Sequence, residues 1–209
     1  MKIKWLGHAS FLIRLADKRV YIDPYAIRGN PSPADLILLT HEHYEHCDSC
    51  SIKKLMKPGT QVLGSASAAK KITGCGILRC GDSVHLDDMS IKAVPAYNIG
   101  KHYHPVDMGV GFVIEHEGKK VYHAGDTDLI PEMKALKDIT VALLPIGGTY
   151  TMNADEAFEA AKIIKPKIAV PMHYGKLDGS RFSADRFKSR VEKETGIQVE
   201  FLEEEPLWI

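Results

Sequence analysis

The sequence predicts an α/β fold in which two β-sheets pack face to face with helices on the outside of each. Three observations lead there. Strand-like segments followed by alternating strands and helices occur twice along the chain, the order expected when each half builds one sheet and covers it. A length of 209 residues, with 44% hydrophobic and 26% charged, suits a single domain over 1–209 that buries a real core. The unusual polar residues fall directly behind apolar strands, where α/β architectures carry their binding loops.

Alternating polar and apolar residues predict strands at 2–7, 10–15 and 19–23, and an apolar run predicts another at 35–40. Helical spacing follows at 50–57 and 65–71, with a strand at 61–63 between them. Strands resume at 77–80, 83–86, 90–95, 110–116 and 120–123. The last third alternates: strand 141–144, helix 154–165, strand 168–171, helix 184–195 and strand 198–201. Helix 154–165 is the best punctuated, with Asn153 as N-cap, Glu156 as its capping-box partner and Pro166 as its stop. No sequence repeat accompanies the duplicated element order.

Lysine plus arginine and aspartate plus glutamate balance at 27 each, which removes the electrostatic footprint of a nucleic-acid binder and favours a small-molecule partner. The start, MKIKWLGHASFLIRL, alternates and soon meets Arg14, unlike a signal peptide. No run approaches the ~18–20 apolar residues that span a bilayer. A cytoplasmic setting is therefore expected, in which the four cysteines are thiols or metal ligands. Homo-oligomerisation stays open.

The chemistry lies in four clusters. DLILL leads into His41, His43, Glu45 and His46; IKAVPA into Tyr97 and Asn98, with His102 and His104 close behind; KVYHAG into Asp126; and KIAVP into His173. His41 and His43, two apart on extended chain, point the same way, while Glu45 and His46 come as the chain turns and can face a second point nearby. Two cations about 3.5–4 Å apart are the geometry that polarises a substrate oxygen and makes hydroxide available near neutral pH.

With these motifs in view, the sequence resembles the metallo-β-lactamase superfamily and, within it, the branch of ascorbate-6-phosphate-lactonase-like, metal-dependent hydrolases. The carriers are GHASFLI and VYIDP, then LLTHEHYEH, VYHAGDTDLIPEM, LLPIGGTYTMNADEA and VPMHYG, spread over nearly the whole chain. The resemblance implies a four-layer αββα sandwich with a metal site along one edge of the sheets. It assigns His41 and His43 to a first cation, His46 and His173 to a second, and Asp126 to a bridge. Two positions depart from the family pattern. Glu45 stands where an aspartate is usual, one methylene longer. Asn98 stands where a histidine is usual, and an amide oxygen is a poorer zinc donor than imidazole. His104 is the preferred replacement and His102 the alternative.

The implied activity is hydrolysis of an ester, lactone or phosphoester by metal-bound hydroxide, with Asp126 and Glu45 as proton acceptors and His8 as a candidate acid. Imidazole and carboxylate donors suit one or two ions of zinc or manganese, with iron or nickel also compatible. The competing class is a metal-binding or sensing domain without turnover. Asp23 is expected to orient a ligand histidine, or else to cap a turn before Pro24. His85, an exposed His116 and His123 are expected to have no catalytic task. Cys47, Cys50, Cys75 and Cys80 would make a structural zinc site only if they meet; otherwise Cys80 is a buried strand residue and the others isolated thiols.

Overall fold

The structure, a computed structural model, describes residues 1–175 and 177–209. The first sheet begins with three strands joined by tight turns and therefore antiparallel: β1 (Lys2–Gly7), β2 (Ser10–Leu15) and β3 (Lys18–Ile22). β4 (Leu36–Leu39), β5 (Gln61–Gly64) and β6 (Gly76–Ile77) then add in parallel, with α1 (Ser49–Leu55) and α2 (Ala66–Lys71) as the crossovers that parallel pairing requires.

The second sheet repeats the scheme. β7 (Ser83–Leu86), β8 (Met89–Ala96), β9 (Gly109–His116) and β10 (Lys119–His123) are antiparallel; β11 (Val141–Pro145), β12 (Ile168–Met172) and β13 (Gln198–Val199) follow in parallel. α3 (Ala154–Ile164) and α4 (Arg181–Thr195) make its crossovers. β14 (Leu207–Trp208) returns to the first sheet, with Leu207 opposite Ile3.

Side-chain alternation assigns the layers. In β3, Val20 and Ile22 join Phe112, Ile114 and Val121 of the second sheet in one buried cluster, while Tyr21 turns outward to Ile52 and Leu55 of α1. β4 is buried on both faces: Leu36 and Leu38 look inward, Ile37 and Leu39 toward α1 and α2. Phe158 of α3 and Phe187 of α4 close the far side of the second sheet. The result is the αββα sandwich that the sequence predicts.

Several boundaries differ from expectation. α4 starts at Arg181, three residues early, because the Ser180 hydroxyl accepts from the Ser183 amide and caps it. α1 stops at Leu55, ahead of Pro58. β6 has only two residues, since the chain turns at Gly81 (φ +93°), and Cys80 is exposed rather than buried in a strand. β13 ends at Val199. His116 is buried, not exposed, because its strand is flanked there by Met89 on one side and Lys119 on the other. The short 3-10 turn Pro131–Ala135 and β14 were not anticipated.

Candidate metal centre

The chain leaving β4 is fixed by one buried carboxylate. Asp23 Oδ1 accepts from the Thr40 amide at 2.7 Å, and its Oδ2 accepts from the Thr40 hydroxyl at 2.6 Å and from His46 Nδ1 at 2.7 Å. This is the orienting role considered for Asp23, and it ties the two ends of the histidine loop to β3. Between them the chain turns tightly, with His46 and Cys47 amides donating to the His43 carbonyl.

The structure brings His41, His43 and His104 together, with ring centroids 4.7 to 4.9 Å apart. His104 Nε2 lies 3.2 Å from His43 Nδ1. Asn98 Oδ1 accepts from both the amide and Nδ1 of His104 at 3.0 Å, so His104 Nε2 is the nitrogen left to face a cation. Of the alternatives for this position, His104 therefore reaches the cluster and Asn98 orients it, while His102 is exposed beside Tyr103.

Asp126 sits between this triad and the next. Its Oδ1 is 3.3 Å from His46 Nε2, and its Oδ2 is 3.1 Å from His173 Nε2 and 3.4 Å from His104 Nε2. Gly125 before it holds φ +65°, and a Cβ there would stand 2.9 Å from the Val110 carbonyl, so the turn that delivers Asp126 admits only glycine. His173, at the end of β12, completes the set. His8, from the turn between β1 and β2, brings its ring to 3.9 Å from that of His173 and 5.3 Å from that of His46.

Glu45, half-buried in the same loop as His46, belongs to none of the groups able to hold an ion: His41, His43 and His104; His41, His46 and Asp126; His8, His46 and His173. The four cysteines, all unbonded, form no such group among the described residues, and their structural zinc site is not built. Burial lifts the Cys47 thiol to about 12 and Cys75 to about 11. His123 is fully buried and occupied with the backbone of Ala9 and Gly125. Asp178 escaped the sequence reading. Its Oδ2 is buried 3.8 Å from His173 Nδ1, across Gly147, where a Cβ would collide with both side chains. Nothing in KLDGS distinguishes it from a turn aspartate.

The electrostatics suit a cation. Burial, reinforced by neighbouring imidazoles, drives His41 well below its usual value, His8 to about 2 and His104 to about 4, so their lone pairs are free at neutral pH. Burial alone would depress His46 too, but Asp126 and Asp23 outweigh it and lift its pKa to about 10, so a cation bound at its Nε2 displaces a proton. Burial opposes ionisation of Asp126, yet His173 and His46 hold its carboxyl well below the carboxylate range. Among the described residues, eight buried side-chain polar atoms lack a hydrogen-bond partner. Four sit here, on His8, His41, His46 and Asp126, and two more, His173 Nδ1 and Asp178 Oδ2, face each other at 3.8 Å just behind them. Folded proteins rarely leave such atoms unsatisfied, and a cation among them removes the deficit, so the residues fit the metal that the donor chemistry implies.

Comparison with known proteins agrees with this geometry. Residues 2–173 match the model of the beta-lactamase superfamily domain. A UPF0173 metal-dependent hydrolase from Methanopyrus kandleri is 35% identical, over 99% of this chain and 97% of its own length. Among solved structures, a protein of Parabacteroides distasonis, provisionally named a metal-dependent hydrolase, superposes with a TM-score of 0.88 at 35% identity, covering 95% of this chain and 91% of its own. A metallo hydrolase from Ignicoccus hospitalis superposes at 0.79 with 28% identity, over 100% and 98%.

Proposed function

The chain belongs to the beta-lactamase superfamily, and from that premise we propose that it is a metal-dependent hydrolase of small molecules carrying an ester, lactone or phosphoester bond. The observation that carries the reading is the convergence of imidazole and carboxylate donors at one edge of both sheets, drawn from five separate segments, four of which bring a buried atom with no hydrogen-bond partner. His41, His43 and His104 would hold one divalent ion, His46 and His173 a second, with Asp126 between them. Such an ion supplies Lewis acidity toward the substrate oxygen and lowers the pKa of water toward neutrality.

The chain's own groups divide the remaining work. A cleft of about 900 Å³ runs up to His8, a volume suited to a small molecule rather than a polymer. Trp5 and Tyr174, stacked at 5.1 Å, with Tyr25 and Leu177, give it apolar walls, and Arg28 lies at its lining. Asp126, ionised at neutral pH, accepts a hydrogen bond from the attacking water and orients it. Glu45 is outside the cluster, so this task falls to Asp126 alone. His8, neutral far below pH 7, is a poor proton donor, and the leaving group takes its proton from elsewhere. The balanced charge supports a small molecule over a nucleic acid, and four unbonded cysteines support a reducing, cytoplasmic setting. Among the described residues no helix is long and apolar enough to cross a membrane.

A lactone panel and bis-p-nitrophenyl phosphate, assayed with zinc and with manganese, separate the substrate classes. His41→Ala and Asp126→Ala should each lower kcat/KM on the accepted class by ~10³-fold or more, the scale of lost Lewis-acid stabilisation. Unchanged turnover in either purified variant contradicts the reading, and a metal-loaded wild type inactive on every class favours the sensing alternative.

A further inference from the structure

We propose that His8 is a direct ligand of the second cation, completing a site with His46 and His173 in the place that the HEHYEH pattern offers to Glu45. The inference rests on the metal-centre reading above and adds a ligand that this pattern does not contain.

Position is the first argument. The ligand atoms of His8, His46 and His173 all lie within 4.8 Å of one another, a spread that one ion can span. His8 is 9% exposed, and its Nε2 is buried with no hydrogen-bond partner. A neutral imidazole that needed only shelter would turn that nitrogen to a donor or to solvent. Here the ring lies against two other imidazoles, its centroid 3.9 Å from that of His173 with a 44° tilt and 5.3 Å from that of His46, and no hydrogen bond joins it to either. Lone pairs converging in this way repel one another until a cation lies between them.

The backbone is the second argument. His8 sits at φ +53° and His173 at φ +60°, both in the left-handed region that is unfavourable for a non-glycine residue. The two turns are tied together, since the His173 amide donates to the His8 carbonyl at 3.0 Å and Trp5 Nε1 donates to the same oxygen at 2.7 Å. Two unfavourable conformations locked to each other present two rings to one point, which is what a preorganised ligand pair requires.

Glu45 supplies the third argument by its placement. It occupies the acidic position of the loop, yet it is half-buried and its carboxylate enters no ion-holding group. The second site would then be three imidazoles plus Asp126, a set with one negative charge fewer than a carboxylate in the Glu45 position would give.

The test compares wild type with His8→Asn, Glu45→Gln and His41→Ala, each stripped and reloaded with zinc. Zinc per chain is read by elemental analysis and affinity by competition with a chromophoric chelator. Asparagine is chosen because it tolerates the left-handed backbone, and the melting temperature of each metal-free variant verifies its fold. The expected result is that His8→Asn retains one ion fewer, or binds the second at least ~10-fold more weakly, while Glu45→Gln matches wild type. Wild-type affinity and stoichiometry in His8→Asn, or loss of the second ion in Glu45→Gln, overturns the proposal. A zinc-loaded crystal of the unaltered chain tests the point with no variant: His8 Nε2 should lie ~2.0–2.1 Å from an anomalous peak, and a peak ligated by Glu45 with His8 out of bonding range overturns it. A wild type that takes up a single ion, lost in His41→Ala, removes the role of His8 and leaves the hydrolase reading standing; a wild type that binds none removes both.

Discussion

Asp23 carries more of the site than its distance from any substrate suggests. One fully buried carboxylate accepts the Thr40 amide, the Thr40 hydroxyl and His46 Nδ1, and so sets where the chain leaves β4 and how the His46 ring is turned. Asp23→Ala strands three buried donors at once. In the metal-free protein it should lower unfolding stability by about 3–5 kcal/mol, read from urea denaturation, with loss of tightly bound metal. A change below about 1 kcal/mol would show that the loop holds its shape without this anchor. At this scale His41, His43, His46, Asp126 and His173 were readable because strand ends and two-residue spacing fix where such side chains converge. His8 was visible only as an ambiguous histidine, since its approach to His173 depends on contact between the two ends of the chain. Asn98 was read as a poorer donor in a histidine's place, whereas its side-chain oxygen accepts from His104 Nδ1 and turns that ring.

Among the elements, α3 was legible to its caps because a capping box is local chemistry: Asn153 and Glu156 satisfy each other's backbone as their three-residue spacing demands. β14 was not, because two residues near the end have no pattern until they meet β1. Asp35 illustrates how an element junction depends on pH. It accepts from the Arg19 amide at 2.8 Å and from Lys57 Nζ at 2.5 Å, joining β3, the start of β4 and the segment after α1. Burial alone would raise its pKa, but the Lys57 and Arg19 bonds outweigh that and hold it below the ordinary 3.8. Its stabilisation is therefore complete above about pH 3.8 and is lost as pH falls through the lower folded value. Asp35→Asn should remove that acid-side slope and cost ~1 kcal/mol or less near neutrality, since the pair is partly solvated. Parallel stability curves for variant and wild type between pH 5 and 2, measured by urea titration, would contradict this.

Across the whole molecule, the two sheets repeat one plan, antiparallel strands followed by parallel βα units. Their shared interior is a single apolar cluster drawing on both. The centre lies where the C-terminal ends of β4, β8, β10 and β12 meet the turn between β1 and β2. No single segment can build it, and it exists only once the sheets have packed. The sequence revealed the plan through the order of elements and the centre through its donors, while the cleft beside it joins the outer face of β1 to β3 with segments around Tyr25 and Tyr174 that only tertiary contact brings there. The central claim is that this convergence is a cation site that drives hydrolysis. The most direct measurement is to strip the purified chain with chelator and titrate zinc or manganese back while recording bound metal and turnover together. Turnover should vanish in the stripped protein and return in proportion to the ion bound. Full turnover by protein shown to hold no metal would contradict it.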